Sequence, residues 1–88
     1  MRRKVRILHC QDGGYIPAFE WETKKKGLTN EVIDYLIGKF SHPSKFPANY
    51  YGRSLQAGDR IELTLLEGDS AGRSVTFEMV TSHSYRQV

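Results

Sequence analysis

The sequence predicts a two-layer α+β domain with the order ββαββ, a small sheet packed on one helix, formed by residues 1–88 as a single unit. Three observations lead there. Four stretches alternate apolar and polar residues at the period of a strand, one stretch between the second and third repeats its apolar residues at helical spacing, and turn-forming residues separate them. A helix laid across a sheet buries the apolar side of each, which is the simplest way for this order to close a core. The order fits a β-grasp arrangement, with the first and last strands parallel at the centre, and equally an all-antiparallel sheet. Periodicity does not choose between them.

Residues 4–10 form the first expected strand, with Val5, Ile7 and His9 on one face. Gln11-Asp12-Gly13-Gly14 supplies residues that tolerate positive φ, the chemistry of a hairpin turn. From Tyr15 to Glu22 the alternation places Tyr15, Pro17, Phe19 and Trp21 on one face and Ile16, Ala18, Glu20 and Glu22 on the other. Pro17 has no N–H to give to a ladder, so this strand is expected at an edge or with a bulge.

After a lysine-rich loop, Thr29 is placed to cap a helix, Glu31 sits in its first turn, and Leu28 and Ile33 have the spacing of a hydrophobic staple. Val32, Ile33, Leu36, Ile37 and Phe40 then form a single apolar stripe. Gly38 weakens the last turn and Pro43 opposes continuation. Residues 41–57 read as an ordered loop. Asp59 to Glu67 alternates with Ile61, Leu63 and Leu65 inward, and Ser74 to Ser82 with Val75, Phe77 and Met79 inward. His83 to Val88 is expected to fray.

A chain of 88 residues buries only roughly 60–65% of its unfolded surface, so the stability margin is thin. With 39% hydrophobic and 26% charged residues it has the composition of a globular domain. The net charge of +3 favours anionic partners only weakly. The lone cysteine, Cys10, fits a reducing cytoplasm, and no apolar run reaches the roughly 18 residues that span a bilayer. A cytoplasmic location and no membrane partner are therefore expected.

The richest stretch for recognition is residues 42–55. Tyr50 and Tyr51 offer ring faces for stacking, Arg53 a planar fork for phosphate or carboxylate, and Ser54 a hydroxyl. Adjacent residues of an extended segment point opposite ways, so one tyrosine is expected in the core and the other free. The competing reading is that the aromatics of this stretch and Leu55 cap the open end of the core. His42-Pro43, Phe46 and Gly52-Arg53-Ser54-Leu55, running on through Asp59 and Ile61, resemble the YodL-like domain, a short module of bacterial mobile elements. The match departs at Ala57-Gly58, where that domain has a serine-rich turn. The resemblance implies a phage or mobile-element setting and a non-catalytic module, and it transfers no catalytic residue.

Basic residues also gather early. Seven basic and three acidic residues precede Gly27, with Lys24, Lys25 and Lys26 consecutive, although a lysine run is more often a solvated loop that protects an edge strand. Gly68-Asp69-Ser70-Ala71-Gly72-Arg73 is followed by a strand rather than a helix, so it is a hairpin loop and not a phosphate loop, with Arg73 as a candidate anion contact. His9, His42 and His83 have no metal-ligand spacing, and Cys10 points away from His9. Cys10 itself is expected half-buried. Glu20 and Glu22 share a face in solvent, where nothing would shift them.

These readings lead to a non-enzymatic binding protein without metal or cofactor. It would capture an anionic small molecule such as a signalling nucleotide, in the manner of an anti-defence sponge. The candidate ligand residues are Tyr50, Tyr51, Arg53, Ser54, Arg73, Lys24, Lys25 and Lys26. The alternative is a protein–protein module or an inhibitor of a larger host enzyme, with direct nucleic-acid binding the weakest reading. A marginal core with exposed aromatics also leads to the expectation of a homo-oligomer.

Overall fold

The first hairpin turns on two residues that both take positive φ, Asp12 at 51° and Gly13 at 79°, flanked by the Gln11 and Gly14 pair. That geometry matches the twist of the strands it joins. The computed structural model describes residues 2–23, 29–48, 50 and 52–88. Its elements are β1 (Arg3–Gln11), β2 (Gly14–Thr23), α1 (Thr29–Phe40), a 3-10 turn at Pro43–Lys45, β3 (Arg60–Leu65), β4 (Ser74–Met79) and β5 (Tyr85–Gln87). The strands lie in the order β2-β1-β3-β4-β5 and every pairing is antiparallel. This excludes the β-grasp arrangement, because β1 pairs with β3 antiparallel and no parallel pair exists among the described strands.

One face of the sheet forms the core. Ile7, Ile61 and Phe77 lie side by side across β1, β3 and β4, and Val5, Leu63 and Val75 form the next row. The α1 stripe of Val32, Ile33, Leu36, Ile37 and Phe40 packs onto them. Each such side chain stabilises the fold by about 1.5–3 kcal/mol when fully buried, against about 1 kcal/mol lost at an exposed Gly38, so the stripe decides the helix. The helix begins on Thr29 itself, one residue earlier than a Thr29 cap would have it, while the Leu28 half of the staple lies outside the described residues.

The opposite face is a polar lattice. Arg6 meets Glu62 at 3.3 Å, Lys4 meets Glu20 at 2.6 Å, and Arg86 meets Glu78 at 3.0 Å. The hydrogen bond from Lys4 holds the Glu20 carboxyl below its usual range, which corrects the expectation that both strand glutamates stand unperturbed in water.

Two further expectations are corrected. In β2, Phe19 pairs with Ile7 and Pro17 with Leu8, so Ala18 is an extra residue in a β-bulge. Phe19 and Trp21 therefore pack against the core, whereas Tyr15 lies on the outer face, its ring under the Arg60 guanidinium at 4.5 Å and its hydroxyl donating to Glu78 at 3.4 Å. Pro17 sits in an edge strand with a bulge, satisfying both conditions that proline imposes. The tail does not fray. Thr81 Oγ1 accepts from the N–H groups of His83 and Ser84, both at 3.1 Å, and the turn delivers Tyr85 to the edge of β4, its ring perpendicular to Phe77 at 5.5 Å.

Candidate functional site

The stretch chosen from sequence for recognition is built around Asp59, a carboxylate with no solvent exposure. The chain leaves α1 and turns through Pro43–Lys45. Its return to the helix is marked by the Leu55 N–H, which donates to the Phe40 carbonyl at 3.0 Å. Leu55 is buried, so the segment on either side is pinned to the core. Arg53 then reaches Asp59 as a fork, Nη1 to Oδ2 at 2.7 Å and Nη2 to Oδ1 at 2.8 Å. The Cys10 and Gln56 N–H groups each add a bond at 2.9 Å, and His9 Nδ1 lies 3.1 Å from Oδ2.

Burial alone would raise the Asp59 pKa. The Arg53 fork and the two backbone N–H groups outweigh it, and the carboxyl is held below its usual value. Asp59 also closes the backbone, since its N–H donates to Gln56 and its carbonyl accepts from Met79 at 2.8 Å. Three separate segments, β1, the 50–56 loop and the start of β3, therefore converge on one side chain.

Tyr50 completes the cluster. Its ring is 5% exposed and stands edge-on to Phe40, Phe46 and Phe19. Its hydroxyl donates to the Arg53 carbonyl at 2.5 Å and lies 2.7 Å from His9 Nε2. Burial raises the Tyr50 pKa, with Asp59 adding to the rise and Arg53 opposing it. Gly52 has a local reason: a Cβ there would sit 2.5 Å from the Tyr50 oxygen.

These positions correct part of the recognition reading. Tyr50 is the core tyrosine and presents no face to a ligand. The Arg53 side chain is 37% exposed, yet its guanidinium is committed to Asp59, the Ser54 carbonyl at 3.0 Å and the Cys10 carbonyl at 3.3 Å. Ser54 is half-buried and takes part through that carbonyl. Tyr51, Lys24, Lys25 and Lys26 lie outside the described residues. The sequence offers His9 no partner at metal-ligand spacing and places Asp59 at a strand start and within the resemblance, and neither reading brings the two together. The usable signal was the alternation that puts His9 on the same face as Val5 and Ile7, since a polar side chain on a buried face needs partners. Cys10 is exposed rather than half-buried.

Among the described residues, two open surfaces have the makings of a contact site. The first is a groove of about 300 Å³ between β2 and α1, lined by Phe19, Trp21, Tyr35, Leu36, Lys39 and Pro47 among others. Trp21 and Tyr35 lie 6.2 Å apart across it, and Lys39 Nζ donates to the Tyr35 hydroxyl at 3.2 Å. It runs beside β2, an edge strand of the sheet. The second is a shallow cavity of about 490 Å³ at the β3–β4 turn, with Leu63, Leu65 and Val75 as its floor and Ser70, Arg73 and Ser74 around it. Arg2, Arg6, Arg53, Arg60 and Arg86 each meet a carboxylate, whereas Arg73 meets none among the described residues.

No family model matches the chain, and neither a curated protein nor a solved structure matches it.

Proposed function

We propose that this chain is a non-enzymatic protein-binding module that uses the β2–α1 side of the domain as its contact surface. The observation that carries this reading is the apolar groove along a sheet edge, with Trp21 and Tyr35 facing each other over it. Aromatic residues in a desolvated pocket are the residues that dominate protein interfaces. The titratable cluster on Asp59 supports the non-catalytic half of the reading, since its hydrogen-bonding capacity is spent within the chain. The residues that resemble the YodL-like domain include Gly52, Arg53, Leu55 and Asp59, which build that cluster, so the likeness supports a shared scaffold in a mobile-element setting.

Photo-crosslinking in the native host tests the proposal. A photoreactive residue at Tyr35 is expected to capture a discrete protein, while the same residue at Val80, exposed outside the groove, captures none. Equal capture from both positions, or none from Tyr35, overturns it.

A second reading keeps the anionic small molecule and moves it to Arg73. A guanidinium with no carboxylate partner among the described residues, the Ser70 hydroxyl and an apolar floor suit a ligand with a flat body and an anionic end. A stabilising thermal shift with a nucleotide, lost in Arg73→Ala, is the expected result, because a ligand stabilises the state it binds. No shift across a nucleotide panel removes this reading.

A further inference from the structure

The β2–α1 groove carries information about what fills it. The proposal above makes the groove a protein-binding surface, and the present inference rests on that reading. We propose that its occupant is an extended segment of another protein, added as a strand along the edge of β2. It would place one apolar side chain in the groove and a carboxylate beside Lys39 and Lys45.

The edge position of β2 supplies the backbone. An extended peptide can pair along such an edge, with alternate side chains directed to one face. On the core side of β2 these side chains would meet Phe19, Trp21 and Pro47, a pocket of the size for one large apolar residue. Phe19 and Trp21 are in place because they pair in regular register with the core residues Ile7 and Val5, before the ladder shifts at Ala18.

The rim sets the charge. Lys39 lines the groove itself, and the adjoining surface is shared by Tyr35, Gly38, Lys39 and Lys45. Lys45 has no acidic partner among the described residues. One acid, Asp34, shares that surface and is exposed. An acidic residue next to the apolar anchor therefore meets two cations against one carboxylate, a net positive rim among the described residues.

A second copy of the chain fits less well. Two β2 edges laid antiparallel would bring Glu20 and Glu22 of each copy onto the same face, and like charges in directly opposed or diagonal positions are unfavourable. Both glutamates are exposed and each already has its cation, Lys4 for Glu20 and Arg2 for Glu22.

Trp21 is the only tryptophan and lies in the groove, so its emission reports occupancy directly. Three tryptophan-free probe peptides are titrated into the intact chain: Ac-Thr-Asp-Val-Phe-Val-Asp-Thr-NH2, the same peptide with lysine for both aspartates, and an analogue N-methylated at alternate residues. The acidic probe is expected to shift the emission with saturation, and the lysine and N-methyl probes to bind at least roughly tenfold more weakly, since the first meets like charge and the second loses its strand bonds. Tyr35→Ala should weaken the acidic probe by roughly tenfold or more and Lys39→Ala by roughly two- to fivefold, both with the far-UV spectrum unchanged.

Equal binding of the acidic and lysine probes overturns the acidic partner, and insensitivity to N-methylation overturns strand addition. A dimer in sedimentation that Tyr35→Arg dissolves overturns the proposal in favour of a second copy. No binding by any probe while Tyr35 still crosslinks to a host protein overturns this inference alone. Failure of both removes the protein-binding reading as well.

Discussion

The Arg53 guanidinium and the Asp59 carboxylate form a two-bond fork, at 2.7 and 2.8 Å, that ties the 50–56 loop to the start of β3. The carboxylate is fully buried while the Arg53 side chain is 37% exposed, so the weight of the clasp lies on the Asp59 side. Asp59→Ala leaves the Cys10 and Gln56 N–H groups without their acceptor. With these donors orphaned the expected loss is about 2–4 kcal/mol, a large share of a small domain's stability. Arg53→Lys keeps the charge but not the fork, so it should fall between wild type and the alanine variant. Urea titration followed by circular dichroism orders the three, and Asp59→Ala within 1 kcal/mol of wild type would refute the role of the clasp.

The acid response follows from the same side chain. Asp59 is depressed in the folded state, so its contribution is present above the ordinary carboxylate pKa and is lost as pH falls through the depressed folded value. Asp59→Asn is therefore expected to be much less stable than wild type at pH 7, with the gap narrowing as the pH drops below the range of an ordinary aspartate. Tyr50 works in the other direction. Its raised pKa gives a contribution that is present below the ordinary tyrosine value and lost as pH rises through the folded one, so Tyr50→Phe should be less sensitive to alkali than wild type. Stability measured from acid to alkaline pH separates the two, and parallel curves for wild type and both variants would contradict them.

Gly52 and Tyr50 are predicted to be coupled. A methyl group at position 52 would lie 2.5 Å from the Tyr50 oxygen and 2.7 Å from Cζ, so Gly52→Ala must displace a buried ring or the loop backbone. Overpacking of this kind costs about 1–3 kcal/mol. Tyr50→Phe removes the nearer contact and leaves the ring, so in the Gly52→Ala background it should recover part of the loss. A double-mutant cycle that gives strict additivity would show that the two side chains do not meet as described.

How far the sequence discloses this molecule depends on whether a local pattern or a distant partner decides each residue. The helix and the inward rows of β3 and β4 could be read because periodicity and burial agree. β5 could not, since a three-residue strand with one apolar side chain has no period. The faces of β2 were misread for a related reason: alternation assumes an unbroken ladder, and Ala18 breaks it, although Pro17 announced a bulge or an edge. In the loop, Arg53 looked available because its sequence neighbours include no acid. Its partner lies six residues on, across a turn, and besides the nearby Gln56 N–H the acid's contacts come from His9 and Cys10 of β1, about fifty residues earlier. The surfaces now left to a ligand, the β2–α1 groove and the Arg73 cavity, arise from side chains that only the fold brings together.

The bulge itself yields the last prediction. Ala18 is the residue that opposes no partner, with Phe19 on Ile7 and Pro17 on Leu8. Deleting it joins two stretches that already pair in the correct register, so every later side chain keeps its face. Deleting Glu20 instead shifts a regular ladder by one residue and turns one side of β2 over, because the side-chain period is two. The Ala18 deletion is therefore expected to fold, with Tyr15 still beside Arg60 and Glu78, at a cost no greater than the packing of one half-buried methyl, about 1 kcal/mol. The Glu20 deletion is expected to lose cooperative unfolding, since Phe19 and Trp21 become neighbours and only one of them can face the core. Nuclear Overhauser contacts from the Tyr15 ring to Arg60 in the first variant, with thermal melts of both, provide the check; if both deletions melt alike, Ala18 is not the extra residue of this ladder.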